Sequence, residues 1–578
     1  MPFLNKIGQD RGGEELCDRT NPKLGEGVDR DGRRQRKGSP RHDLLKRLSL
    51  IFPNGYHSDP CRRVLVPIGG HLFLDRFLHL SRKKEGWQQK NKDFSFQLHI
   101  SHAIVDPLLS INKKMKNSTR TLNIFLLAMI NVAAICSIKN WPFTAVYGFS
   151  SLFYFIVAIL IFFIPVSLVS AELATGWPER GGVYAWVKAA FGHRLGFLAG
   201  WLLWTENVVW YPTILSFIAG TVAYIFSPTL ANNTFYMFCM IFGTFWGVTL
   251  INLLGMRVSG WISSLGVILG TITPGIIIIG LGIAWLSGGK PSHVDFSWGS
   301  FIPDLSSPAK LSLLVGVLLG FAGMEMSAVH ARDVQNPQKN YPRAIFLSAV
   351  IIVILSVLGT LAIAVVIPKE NINLASGGME AISIFLDSYN LSWAIPVIAV
   401  MITFGALGGT STWAAGPSKG LLAAAQDGDF PPVLHKVNKH GMPGAMLIFQ
   451  GIIVSILGAI FLFMPDVNSS FLILLILASQ LYLIMYILMF AAGIALRYKK
   501  PNTPRPYKIP GGNFGMWLTA GTGLLGALFS IIIGFFPTDD LETGSILFYE
   551  LFLSLGIIGF CAMPFIILLF KKPSWNEP

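Results

Sequence analysis

Residues 319–330 read "LGFAGMEMSAVH". Glu325 sits there in an apolar run of membrane-spanning character, with Gly320 and Gly323 upstream and His330 five positions on. A carboxylate within hydrocarbon is expensive, and glycine weakens a helix. A membrane segment that carries both at once needs a reason, and the surrounding chain supplies it.

That chain has 578 residues, is 52% hydrophobic and 13% charged, and has a mean hydropathy of +0.56. Most of it cannot be solvated as a globular surface is, so the composition indicates a polytopic membrane protein. Cys17, Cys61, Cys136, Cys239 and Cys561 form neither a CxxC pair nor a clustered framework. No disulfide scaffold, zinc site, other metal or cofactor is implied. The formal charge of +14 is uneven, because residues 1–120 hold 24 of the 45 Lys and Arg but 13 of the 31 Asp and Glu. The basicity is therefore local to a polar leader, and no nucleic-acid partner is expected. The leader lacks the uninterrupted apolar core and cleavage site of a secretory signal. Residues 1–114 are expected to be cytoplasmic and disordered, with "DRDGRRQRKG" suited to anionic lipid. A native chain that starts at Met115 is the competing reading, which mass spectrometry of the N-terminus separates.

A helix needs about 20 apolar residues to cross the hydrocarbon core. Such runs recur from about residue 121 to 571, and twelve spans are expected, centred near residues 131, 158, 210, 244, 272, 321, 355, 405, 454, 482, 524 and 558. Residues 207–256 carry no charge, so two spans share that stretch through the turn-rich "SPTLANN". With both termini cytoplasmic, seventeen of the 21 Lys and Arg beyond residue 120 fall in cytoplasmic connections and the tail. Only Lys290, Lys310 and Lys369 fall in outer loops, and Lys139 lies in or at the edge of span 1. A β-barrel, with its alternating strands of about ten residues, would not give this partition.

The loop after span 2 reads "VSAELATGWPERGGVYAWVKAAFG", residues 169–192. Pro178, Gly181 and Gly182 break the helix there, and Tyr184, Trp186 and Phe191 suit a short interfacial helix. With Glu172, these residues resemble the A-E-L and P-x-x-G-G-x-Y-x-W pattern of amino-acid permeases in the amino acid, polyamine and organocation superfamily. The segment "FAGMEMSAVHARDVQNPQKNYPRA" is similar to the broken sixth helix of those transporters. "GPSKGLLAAAQ" and "YKIPGG" look like the glutamate/GABA antiporter branch. The resemblance covers residues 121–572 and implies an all-α membrane protein: two inverted five-helix repeats, spans 1–5 and 6–10, plus two extra helices. The transporter domain is then 115–572, followed by a short cytoplasmic tail, 573–578.

In such folds the first helix of each repeat is interrupted near the midplane, and its freed ends bind charged substrate groups. The resemblance implies substrate contact at Phe321, Ala322 and Gly323 in span 6. In span 1 it implies contact at Ile135, Cys136 and Ser137, where "AAICSIKNWP" replaces the usual glycine-serine-glycine break. Glu325 is expected to support the break or to carry a proton. Glu206, in "GWLLWTENVVWYP", is expected to face protein or water; it either pairs with charge or serves as a hydrogen-bonded structural group. Lys139 either pairs with Glu206 or a substrate carboxylate, or snorkels to the interface. Trp413 and Trp210 are expected to wall the cavity, with ordinary packing as the plainer reading for Trp413. His330 could titrate near neutrality, although a satisfied structural histidine is the plainer reading. The antiporter branch carries a glutamate four residues before the tryptophan, and this chain has Gly409 there.

The expected function is secondary active amino-acid transport across the inner or plasma membrane by alternating access, as an antiporter of amino acids or their amines. A proton- or sodium-coupled symporter on the same fold is the rival, with Ser411 and Thr412 as hydroxyls for a sodium site. A channel is a further alternative. An intramembrane enzyme is disfavoured, because no HExxH is present and no serine–histidine pair is easily placed. Oligomeric state is left as monomer or homodimer.

Overall fold

The computed structural model describes residues 123–178, 181–255, 266, 268–306, 311–312, 314–326, 334–537 and 545–576. The expectations placed on residues 1–114, on Met115 and on His330 lie outside them. Among the described residues the chain forms helices and connecting turns, with no β-strand.

Among the described residues, ten helices are long and apolar enough to cross a bilayer. The chain opens with two short helices, α1 (Ile124–Ile135) and α2 (Asn140–Ala145). The long apolar α3 (Gly148–Gly176), the short α4 (Val183–Phe191), α5 (His193–Phe226), α6 (Thr234–Leu253) and α7 (Ile268–Ser287) follow. After them come the short α8 (Leu314–Leu319), the long α9 (Lys339–Val366) and the shorter α10 (Gly377–Ser388). The last five are α11 (Ser392–Asp429), α12 (Gly444–Phe463), α13 (Val467–Lys499), α14 (Gly512–Ile533) and α15 (Ile546–Leu569). The expected spans centred near 131 and 321 are thus interrupted: α1 and α2 share the first, and a helical stretch from Leu314 to Met326 forms the second.

Burial sorts these helices into layers. In α5 and α13, 78% and 83% of the most apolar stretch is buried, against 11% in α15. The first two therefore form the centre, and α15 keeps its apolar side chains for lipid, where every backbone group must be satisfied within the helix. Where helices meet closely, small residues let them do so. A Cβ on Gly270 of α7 would lie 2.4 Å from the Cα of Gly405 in α11, so the two backbones touch.

The ends of the long helices are fixed locally. Asp466 caps α13 by accepting from the Ser469 N–H at 2.7 Å, and Arg497 and Lys499 sit in its last turn, where cations suit the helix dipole. Near that end the A-E-L and YKIPGG motifs meet. The Glu172 carboxylate accepts from Arg497 Nε and Nη2, both at 2.6 Å, and from the Ile509 N–H at 2.8 Å. Arg505 Nε lies 3.6 Å away. Each Glu172 oxygen has an ionic or backbone partner, the arrangement that makes a buried charge tolerable.

Candidate binding site between two interrupted helices

The first interruption follows from the end of α1. The Cys136 N–H donates to Val132 O at 2.8 Å, after which the chain leaves the helix and restarts with Asn140 N–H to Ser137 O at 3.1 Å. Among the described residues no N–H donates to the carbonyls of Ala134, Ile135 and Cys136. These are the freed acceptors of a helix C-terminus.

The second interruption follows α8. Phe321 and Ala322 close tight turns onto Leu318 O and Leu319 O, and Gly323 then takes a φ of +117°. That value lies in the left-handed region, which glycine adopts without a Cβ clash. The Gly323 N–H donates to the Tyr486 hydroxyl at 2.9 Å. A short turn over residues 324–326 carries Glu325, whose carboxylate accepts from the hydroxyls of Tyr482 and Tyr486, the latter at 2.6 Å.

The two interruptions, α5, α11 and α13 enclose a chamber of about 50 Å³. Its wall is formed by Ala134, Ile135, Ser137 and Asn140 from the first break, and Leu319 and Ala322 from the second. Glu206, Asn207 and Trp210 come from α5, Trp413 from α11 and Tyr482 from α13. Trp210 and Trp413 stand with ring centroids 6.3 Å apart. A drug-sized ligand site is usually several hundred Å³, so an amino acid enters this chamber only if the walls move.

Of the residues singled out from sequence, Ile135, Ser137, Ala322, Trp210, Trp413 and Glu206 line the chamber. Gly323 lies just behind the wall, where a Cβ would meet Ile135 at 3.4 Å and Trp413 at 3.5 Å. Cys136 is buried and free but is not among the lining residues. Phe321 turns its ring towards α3, against Phe155 and Phe163 at 5.7 and 4.9 Å. Lys139 does not snorkel: it is 1% exposed, its Nζ donates to Thr213 Oγ1 at 3.1 Å, and it lies 5.2 Å from the rings of Trp210 and Phe471. Glu325 is buried behind Tyr482 rather than on the wall. Ser411 donates to Asn252 of α6 at 3.4 Å, and Thr412 to Gly408 O of its own helix at 3.1 Å.

Tyr482, Tyr486, Thr213 and Asn140 were not singled out. The i, i+4 spacing of the two tyrosines in a largely apolar helix was the available signal, since neighbours at that spacing share one helix face. At the membrane edge, Tyr184 of α4 donates to Asp427, and Lys188 meets the same carboxylate at 2.6 Å. Burial, and then Asp427, push the Tyr184 phenol above its ordinary range. His193 and Lys571 reach Asp429 at 2.5 and 3.4 Å.

The sequence profile of the family described as amino acid permease matches residues 120–560. An uncharacterized transporter from Legionella pneumophila is 46% identical over 452 residues, which cover 78% of this chain and 97% of the relative. A glutamate/gamma-aminobutyrate antiporter from Lactococcus lactis is 32% identical over 454 residues, 78% of this chain and 90% of the relative. A probable agmatine/putrescine antiporter from the same species is 27% identical over 401 residues, 69% and 84% of the two chains. These matches bear out the resemblance read from the sequence motifs.

Proposed function

The chain belongs to the amino acid permease family as a multi-pass secondary transporter, not an enzyme, and from that premise we propose that it exchanges amino acids or their amines. The observation that carries this reading is the meeting of two interrupted helices at a polar chamber walled by Trp210 and Trp413. Freed carbonyls at the end of α1 suit an ammonium, and the opened backbone at Phe321–Gly323 offers the second contact. The names of two relatives, each an antiporter, support exchange over ion-coupled symport.

The ten long helices and two interrupted ones support a twelve-span arrangement in two inverted five-helix repeats plus two helices. In the cell or inner membrane, both termini would be cytoplasmic, with residues 1–114 a leader, 115–572 the transporter and 573–578 a tail. Glu325, held by two tyrosines, serves as support of the second break or as a proton partner. Counterflow in liposomes tests the exchange: labelled substrate should accumulate only when unlabelled substrate is preloaded inside. Accumulation driven by an ion gradient into liposomes with no internal substrate would instead establish symport.

A further inference from the structure

Two carboxyl groups and one amine, Glu206, Glu325 and Lys139, surround the chamber, and of these three Glu206 lines it. Glu206 is 3% exposed and lines the wall. Its Oε2 accepts from Asn207 at 2.8 Å, whereas Oε1 receives no hydrogen bond from any described residue. Lys139 does not supply the missing partner. Its ammonium bonds to Thr213 and faces the rings of Trp210 and Phe471; it lies beyond ion-pair distance of Glu206, although the two groups still act on each other electrostatically. Glu325 is turned to Tyr482 and Tyr486. Of the three, the group that a ligand meets directly is therefore the Glu206 carboxyl, with one oxygen free.

An acceptor that faces a chamber and has no protein donor is available to a donor on a ligand. An ammonium, which is a cation and purely a donor, is its best complement. The adjoining carbonyls of Ala134, Ile135 and Cys136 also lack N–H donors, so acceptors dominate this side of the chamber. A ligand carboxylate directed there would meet acceptors in place of donors, and an ionised Glu206 would repel it.

We infer that Glu206 is the cation-recognising residue of the chamber, and that the transported substrates are net-positive amines: diamines or basic amino acids whose extra ammonium contacts Oε1. The inference rests on the exchanger reading above. It differs from that reading in committing to the charge of the substrate.

The test uses the purified full chain in two assays. In detergent, lysine and putrescine should each raise the thermal unfolding midpoint, and glutamate should not. Glu206→Gln should weaken the apparent affinity for both cations about 10- to 100-fold, the scale of one lost charge-assisted hydrogen bond. Glu206→Asp should restore part of it, and monodisperse elution of both variants establishes that they are folded. Stabilisation by glutamate in preference to the cations, by no cation at all, or equally in wild type and Glu206→Gln overturns the inference. In liposomes, lysine and putrescine should each drive counterflow of the other. Loss of counterflow with cation stabilisation intact would sink the exchanger reading alone.

Discussion

Glu172 and Glu206 are two carboxylates buried to a similar degree, 1% and 3% exposed, yet they are built in opposite ways. Glu172 is saturated: two guanidinium nitrogens and a backbone N–H hold it from α13 and the segment beyond. Glu206 is held by one amide and keeps an oxygen towards a chamber. The difference separates two uses of a buried charge. A saturated carboxylate locks elements together and has nothing left for a ligand. An unsaturated one that faces a chamber keeps an acceptor available for a ligand.

Breaking the saturated site should have the largest effect. Glu172→Ala strands the Arg497 guanidinium, whose side chain is 7% exposed, and should destabilise the protein by about 3–5 kcal/mol. Thermal unfolding in detergent measures this, and a loss below about 1 kcal/mol would show that the motif contact is dispensable. Tyr486→Phe comes next. It removes one donor to Glu325 and the acceptor of the Gly323 N–H, for an expected loss of about 1–3 kcal/mol together with slowed transport. An unchanged unfolding midpoint would argue that water replaces the hydroxyl.

Lys139→Met sharpens the comparison from the other side. It replaces a buried ammonium, bonded to one hydroxyl and two ring faces, by an apolar chain of similar length. The variant should be neutral to about 1 kcal/mol more stable, while substrate affinity changes. Marked destabilisation would show that the lysine is a structural counter-charge for Glu206. The smallest effect is expected at the membrane edge. Lys188→Ala breaks a pair with Asp427 whose side chains are 39% and 41% exposed, worth about 0.2–1 kcal/mol. Its unfolding midpoint should shrink towards no difference from wild type as salt is raised.

Much of this architecture was legible before any coordinates, because a bilayer imposes a length on every span and a charge bias on every loop. The interruption at Gly323 was legible too, since glycine beside a carboxylate has few other uses in an apolar run. Directions were not legible. Whether Lys139 points to Glu206, to the interface or to Thr213 depends on how the segment is rotated after α1 ends, and no spacing encodes that. Phe321 shows the same limit: the sequence puts it at the break, but packing against Phe155 and Phe163 turns its ring away from the chamber. The tyrosines that hold Glu325 were hidden because aromatic residues on a central helix look like core until a carboxylate is found against them.

The glycine contact between α7 and α11 has a mechanical consequence. Gly266 and Gly270, four residues apart, both approach Gly405, and Cβ atoms built on them would lie 3.2 and 2.4 Å from its Cα. Interlocked side chains hold two helices in register as teeth hold gears, and any slide must first disengage them. Two ribbons of bare backbone have no teeth. At this crossing the separation between α7 and α11, the helix that carries Trp413, is set by backbone atoms, so a Cβ added to either glycine face would force the two helices apart.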